Sequence, residues 1–383
     1  MPSILLLDGL ATRNLMRTMS MPDMRFAPPN PLRIADRASG LNAVSVRSYN
    51  ERLVLSLLLQ KASTTRLEIG ERTGLSAQTV SVLVRSLEQE GLVAKGEAQK
   101  GRVGPPTVPI VLNPEGAFSI GISVGNRHTD VVLIDFVGEV RFHTTLPNPE
   151  VDRASNHSQF LGTIREAISM LPKKARERLA GIGLALPQSS SNGRNDEAYF
   201  KALQDEIEEQ LGISVFVQND ITAAASGESM FGVAKSLTNY MYFFLGAMLH
   251  GRLVLNHQIY NGNSPVSFDV GITALERELA KHGQPSGPLW ERTGTWPDYG
   301  DLLESWEKHL IDQMARSLDA VSQFVEFETV VLSSYAPQMI CRDICRRLEA
   351  NLTGVKAIAG NITPAPKAVG AASLPFSSRF MVE

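Results

Sequence analysis

Residues 74–91, GLSAQTVSVLVRSLEQEG, decide how the first part of the chain folds. Gly74 interrupts one helical pattern and Ser76 is placed to cap the next. Val80, Leu83, Val84 and Leu87 then recur at helical spacing, and Gly91 is the kind of residue that ends a helix. Upstream, a helix begins near Tyr49 with Leu53, Leu55, Leu57, Leu58 and Leu59 as its buried stripe. A second begins at Thr65, where Thr65 and Glu68 stand at capping-box spacing and Leu67 and Ile69 are apolar. Downstream, residues 92–94 and 107–112 read as two short strands around the basic, glycine-bearing loop 95–102. Three helices and a two-stranded wing over 45–113 predict a winged helix-turn-helix. Residues 1–44, with Pro28-Pro29-Asn30-Pro31, read as a mobile arm.

The third helix carries side chains suited to a major groove. Gln78, Ser81 and Arg85 share the face opposite the apolar residues, with Ala77 and Thr79 near the N-terminal end. Gln pairs bidentately with adenine, Arg reaches guanine or phosphate, and Ala or Thr methyls fit the thymine methyl. Ser76 and the helix N-terminus offer donors to a phosphate, and Arg102 on the wing reaches the minor groove or the backbone. The same pattern also describes a small helical oligomerisation module with a solvated polar face.

Charge is divided unevenly. Residues 1–105 hold 14 Lys and Arg against 9 Asp and Glu, a net +5, which leaves −8 for the remainder of a chain whose total is −3. A basic head on an acidic body is the footprint expected of a phosphate binder. Of the 383 residues, 43% are hydrophobic and 20% charged, ordinary for a globular protein. No apolar run approaches the roughly 18 residues that span a bilayer. The run Ile4-Leu5-Leu6-Leu7 ends at Asp8, too short for a signal-peptide core. The expectation is a cytoplasmic protein without membrane contact. The two cysteines, Cys341 and Cys345, are one helical turn apart and read as reduced thiols. His250, His257 and His282 lack the spacing of a tetrahedral metal site, so no metal and no cofactor are expected.

From Ala117 the texture becomes alternating strands and helices. Strands at 118–124 and 130–135, a turn at Gly138-Glu139, a helix at 156–171, a strand at 180–185, a helix at 197–211 and a strand at 215–217 give a βββαβαβ-like order. This is an α/β lobe over 114–238, completed by 366–383. A second lobe, 239–365, contains long helices at 301–325 and 337–350.

Several segments, taken together, resemble one family. Residues 49–55, 74–81 and 101–106 resemble the head of ROK regulators, a family that joins repressors of sugar metabolism to sugar kinases. Gly181-Ile182-Gly183-Leu184-Ala185-Leu186-Pro187 resembles its Gly-Ile-Gly-x-x-x-Pro strand and turn. Gln218-Asn219-Asp220-Ile221-Thr222-Ala223 resembles its Asn-Asp-x-x-x-Ala motif, and Val369-Gly370-Ala371-Ala372 its C-terminal Gly-Ala-Ala helix start. The resemblance covers most of residues 41–380. It implies a two-lobed, actin-like sugar-kinase body behind the winged helix-turn-helix, with Asn219 a sugar ligand and Asp220 the remnant of the catalytic base.

Measured against that pattern, the phosphate machinery is eroded. The family's Asp-x-Gly-x-Thr turn corresponds to Ser123-Val124-Gly125-Asn126-Arg127, without the acidic residue that organises magnesium. The second phosphate loop is reduced to Gly246-Ala247-Met248-Leu249-His250-Gly251. The family's Glu-x-Gly-His aligns with Asp269-Val270-Gly271-Ile272, leaving Asp269 as the acidic effector-site residue. The family's zinc site needs three clustered cysteines, which this chain lacks. The expectation is therefore a non-enzymatic repressor of carbohydrate-related genes, a homodimer or homotetramer on a pseudo-palindromic double-stranded operator. A sugar or sugar derivative is its effector, bound by Asn219, Asp220 and Asp269. The alternatives are an ATP-dependent sugar kinase carrying a DNA-binding head, and a ligand-independent regulator whose body serves only to oligomerise.

Overall fold

The computed structural model describes residues 49–97, 108–125, 127–147, 153–187, 194–260, 267–292, 294–352 and 354–382. The arm expected over 1–44, Arg102 and the wing loop from residue 98 lie outside them. Among the described residues no helix is long and apolar enough to cross a membrane.

The head contains α1 (Tyr49–Gln60), α2 (Arg66–Thr73) and α3 (Ala77–Gln89), followed by β1 (Val93–Lys95) and β2 (Ile110–Leu112). Each helix end has a local chemical cause. Thr65 Oγ1 accepts from the Glu68 amide while Glu68 Oε2 accepts from the Thr65 amide, a complete capping box at α2. Ser76 Oγ accepts from the Thr79 amide at 3.1 Å and so caps α3. β1 and β2 pair antiparallel, and Thr64 bridges to Ile110, so the α1–α2 turn is stitched to the wing.

The first lobe carries a sheet in the order β5-β4-β3-β6-β7, built from β3 (Phe118–Val124), β4 (His128–Asp135), β5 (Val140–Pro147), β6 (Leu179–Leu186) and β7 (Val215–Asn219). β3, β4 and β5 form an antiparallel meander; β6 and β7 run parallel to β3. On one face Phe160, Leu161 and Ile164 of α4 (Arg153–Ser169) cover Ile120, Ile122, Ile182 and Leu184. A short helix, α5 (Lys173–Arg176), leads into β6. α6 (Arg194–Leu211) adds Leu203 and Ile207 to the same core. The opposite face receives α7 (Asp220–Met230) and α11 (Pro366–Phe380).

The second lobe carries the order β10-β9-β8-β12-β13, with β11 also paired to β9. Its strands are β8 (Tyr240–Leu245), β9 (Leu249–Leu255), β10 (Gln258–Ile259), β11 (Ser267–Phe268), β12 (Thr329–Ser334) and β13 (Lys356–Ala359). α8 (Ile272–Lys281), α9 (Asp301–Ser322) and α10 (Gln338–Ala350) pack on one face through Leu275, Leu310, Met314, Ile344 and Leu348. Cys341 and Cys345 are free thiols in this core, and burial pushes them up to about 11 and about 12.

Three motifs far apart in sequence meet on the inner face of the first lobe. Along β6, Ile182 and Leu184 point into the α4–α6 core, so Gly181, Gly183 and Ala185 face the other way. There a Cβ on Gly183 would lie 1.8 Å from the Ala371 carbonyl oxygen of α11, and one on Gly370 would lie 1.9 Å from the Ala223 carbonyl oxygen of α7. Only glycine permits these backbone approaches. Gly183→Ala and Gly370→Ala should each cost about 3 kcal/mol or more in urea unfolding, because backbone must move to admit the methyl. Gly162→Ala, in α4 with nothing within 4 Å of the added methyl, should instead stabilise by about 0.5 kcal/mol.

Candidate functional site: an interlobe cleft and a helix-turn-helix face

On the head, Val80, Val84 and Leu87 are buried, while Ala77, Gln78, Ser81 and Arg85 are exposed. Thr79 is half-buried, its hydroxyl 2.8 Å from Ser76 Oγ. The structure therefore places Gln78, Ser81 and Arg85 on one exposed side of α3, with Ser76, Ala77 and Thr79 around its N-terminal end.

The head is not loosely tethered. Arg52 of α1 donates to the carbonyls of Ser377 and Ser378 at the end of α11, at 3.2 and 2.5 Å. A cation there also opposes the negative end of the helix dipole. Ser56 Oγ accepts from the Val382 amide at 3.0 Å. Leu55, Leu58 and Val84 of the head belong to one apolar core with Val369, Phe376, Phe380 and Met381. From the other side, Arg178 donates to the carbonyls of Gly91 and Glu115.

At the cleft, Asn219 caps α7. Its Oδ1 accepts from the amides of Ile221 and Thr222, both at 3.1 Å, and from Arg252 Nη2 at 2.8 Å. Arg252 also donates to Thr222 Oγ1 and to its neighbour's carbonyl at Gly251. Burial pulls the Arg252 guanidinium below its ordinary value, with the Asp220 charge acting against that shift. Asp220 Oδ2 is 2.5 Å from Lys367 Nζ on α11, and that ammonium also lies 4.6 Å from the Phe244 ring centroid. Among the described residues, Asn219 Nδ2 and Asp220 Oδ1 have no hydrogen-bond partner. Asp269 sits apart from this pair: it is exposed and ion-paired with Arg277 of the helix that follows it, at 2.6 Å.

A second buried carboxylate links the lobes. Asp130 on β4 accepts from Thr145 at 2.9 Å, lies 3.2 Å from His143 Nε2, and receives Arg292 and Tyr335 from the second lobe. The Arg292 guanidinium stacks 4.0 Å from the Tyr335 ring centroid. Burial acts to raise the Asp130 carboxyl, but hydrogen bonds from His143 and Arg292, the Arg292 charge and Thr145 outweigh it and hold the group below the usual carboxylate range. Beside this pair, Arg127 spans to Glu276 at 3.1 Å and lies 4.2 Å from the Trp290 ring centroid.

Both segments aligned with the family's phosphate loops make contacts within the protein. Arg127, in the first, is engaged across the cleft. In the second, the amides of Ile272 and Thr273, which open α8, donate to the carbonyls of Gly246 and Ala247 at 2.8 and 3.1 Å. Sequence reasoning passed over Arg252, Lys367, Asp130 and Arg292. Their signal is only a charged residue in an otherwise apolar or small-residue context, which does not reveal its partner.

Comparison with known proteins agrees with this architecture. Residues 119–287 match the ROK family, and residues 47–94 match the family described as winged helix-turn-helix DNA-binding. The chain is 26% identical over 283 residues to the xylose repressor of Bacillus subtilis (strain 168), covering 69% of this chain and 70% of that protein. It is 23% identical over 242 residues to the DNA-binding transcriptional dual regulator NagC of Escherichia coli (strain K12), covering 61% and 59%. The crystal structure of a ROK family transcriptional regulator, a homologue of the E. coli MLC protein, superposes with a TM-score of 0.59 at 16% identity, covering 86% of this chain and 96% of that one. At that identity it shows the shared fold.

Removing Arg292 leaves Asp130 buried without its main countercharge. Arg292→Met should destabilise the protein by about 3 kcal/mol in chemical denaturation at pH 7, and adding Asp130→Asn should recover most of that loss. Because the folded Asp130 is held low, the stability it contributes is present above its unfolded value near 4 and lost only as pH falls further. A stability difference between wild type and Asp130→Asn that already fades between pH 8 and 6 would contradict the assignment.

Proposed function

This chain joins a ROK family domain to a winged helix-turn-helix DNA-binding domain, and from that premise we propose that it is a cytoplasmic repressor of carbohydrate-related genes. A sugar or sugar derivative held between the lobes sets its affinity for a double-stranded operator. Two heads in a homodimer or homotetramer read the halves of a pseudo-palindrome, Ser76 and the start of α3 meeting phosphate, Ala77, Gln78, Thr79, Ser81 and Arg85 meeting base edges, and Arg102 of the wing meeting the minor groove or backbone.

The observation that carries the regulatory part is the reach of α11. Its first turn holds Lys367 against Asp220, and its last turn holds the carbonyls that anchor Arg52 of the head. Fifteen residues of one continuous helix, with Pro375 inside it, span roughly 22 Å between these two contacts. Asn219 Nδ2 and Asp220 Oδ1 offer a donor and an acceptor side by side, suited to a sugar hydroxyl. A ligand hydroxyl donating to Asp220 Oδ1 draws on the carboxylate that Lys367 holds through Oδ2, and a movement of α11 is then felt at α1. Asp269 would have to leave Arg277 to join the same ligand.

The body in this reading performs no phosphoryl transfer. Catalysis of that kind needs a phosphate cradle of free backbone donors and a metal-organising acid. Here α8 spends its first amides on Gly246 and Ala247, and Arg127 stands in the other turn.

Binding to fragments of genomic DNA at two salt concentrations tests the head. Selective, salt-sensitive binding is expected, with Gln78→Ala and Arg85→Ala each weakening it about tenfold. Asp220→Asn, which leaves an oxygen for Lys367, should keep operator affinity and weaken the response to an effector found by thermal shift against a panel of sugars and sugar derivatives. Sequence-blind binding by the wild type, or sustained ADP release with any hexose, would overturn the proposal.

A further inference from the structure

α3 presents one large apolar side chain to solvent. Val82 is 63% exposed, whereas Val80 and Val84 on either side are fully buried. A β-branched residue on an exposed helix face gains no packing and is a poorer helix former than alanine, so the fold itself does not ask for it.

Gln78, Ser81, Val82 and Arg85 stand at i, i+3, i+4 and i+7, which places them on one face. Two of the polar groups at this surface are already engaged. Ser81 Oγ donates to the Ala77 carbonyl at 2.8 Å, and the Thr79 hydroxyl is paired with Ser76. Gln78 and Arg85 have no partner among the described residues. The Ser81 and Thr79 hydroxyls keep only oxygen lone pairs for a base edge, and Ala77 a methyl, so Gln78, Val82 and Arg85 are the longer side chains wholly uncommitted. Along the helix Gln78 and Arg85 are separated by roughly 10 Å of rise, about three base-pair steps. Val82 lies between them. In a major groove the one apolar feature on a base edge is the C5-methyl of thymine.

We propose that Val82 is a specificity-determining residue of the DNA interface, its isopropyl group packing on a thymine C5-methyl between the base pairs read by Gln78 and Arg85. The inference rests on the reading of the head as a DNA reader and adds a residue and a base to it. It also accounts for a cost otherwise unexplained, an apolar branched side chain kept in water when the head is free.

Replacing thymine by deoxyuridine removes only that methyl. An operator is first selected by the wild-type full chain from a random-sequence pool. Each thymine is then replaced singly, and binding of wild type and Val82→Ala is measured by fluorescence anisotropy. At one position per half-site the wild type should lose about fourfold in affinity, the worth of one buried methyl. Val82→Ala should bind the thymine operator several-fold more weakly and no longer distinguish thymine from deoxyuridine there. Because Val82 is exposed and alanine favours helix, the variant should fold, and its melting temperature verifies that.

Equal deoxyuridine penalties in both proteins at every position would overturn the inference while leaving the head a DNA reader. So would a Val82→Ala variant whose mass in solution has fallen and whose affinity has dropped uniformly, since the valine would then be a contact between copies of the chain. Failure of the wild type to select any sequence would reject the DNA-reading head and this inference with it.

Discussion

The contact of α11 with α7 and β6 is made backbone to backbone, and the other parts of the molecule are arranged around it. Gly183, Gly370 and Gly227, with Ala223 and Ala371, remove the side chains that would otherwise hold these elements apart. α7 is buried nearly all round because it serves both lobes. Ile221, Ala224 and Ala225 meet Tyr242 and Phe244 of the second sheet, while Ala223 and Gly227 meet α11 or the first. At its far end Glu228 accepts from Ser333 and from the amides of Val233 and Ile362, which ties α7 to the second lobe. Burial raises the Glu228 carboxyl against those hydrogen bonds, so the joint is held by a group that water no longer reaches. A shift of α7 or α11 is consequently a shift of both lobes.

In the cleft between them the acidic side chains have countercharges from the chain itself, Glu276 from Arg127 among them. Asp220 has Lys367, and Asp130 has Arg292. Arg252 is different in kind, for its hydrogen bonds go to a carboxamide, a hydroxyl and a carbonyl. In a partly buried setting such charge-assisted bonds fix geometry firmly. Asn219 and Asp220 are thus held by groups of the chain itself, Asn219 by Arg252 and the start of α7, Asp220 by Lys367.

What the sequence disclosed follows the range over which its causes act. The caps at Thr65 and Ser76 depend on residues three positions away, and a local reading reaches them. The glycine and alanine motifs were visible as motifs, though their common purpose, three backbones in contact, emerges only when β6, α7 and α11 are brought together. The partners of Asp220, Asn219 and Asp130 were not legible. They stand 147, 33 and 162 residues away, and a lone lysine or arginine carries no mark of the carboxylate it will meet. The strands of the second lobe were passed over for another reason: the run Tyr240–Leu245 is apolar without alternation, which fits a buried strand and a buried helix segment equally.

The anchorage of the head has a consequence for how the molecule comes into being. Arg52 finds its acceptors at Ser377 and Ser378, about 325 residues later in the chain. At ribosomal speeds of about 5–20 residues per second, the three helices and wing leave the ribosome some tens of seconds before the surface that seats them. In that interval a nascent head can form its own hydrogen bonds and, once Arg178 is made, its contacts from that side, but it lacks the seat at the end of α11. A chain interrupted before residue 377 would carry the head on its Arg178 side alone, without the acceptors that hold Arg52.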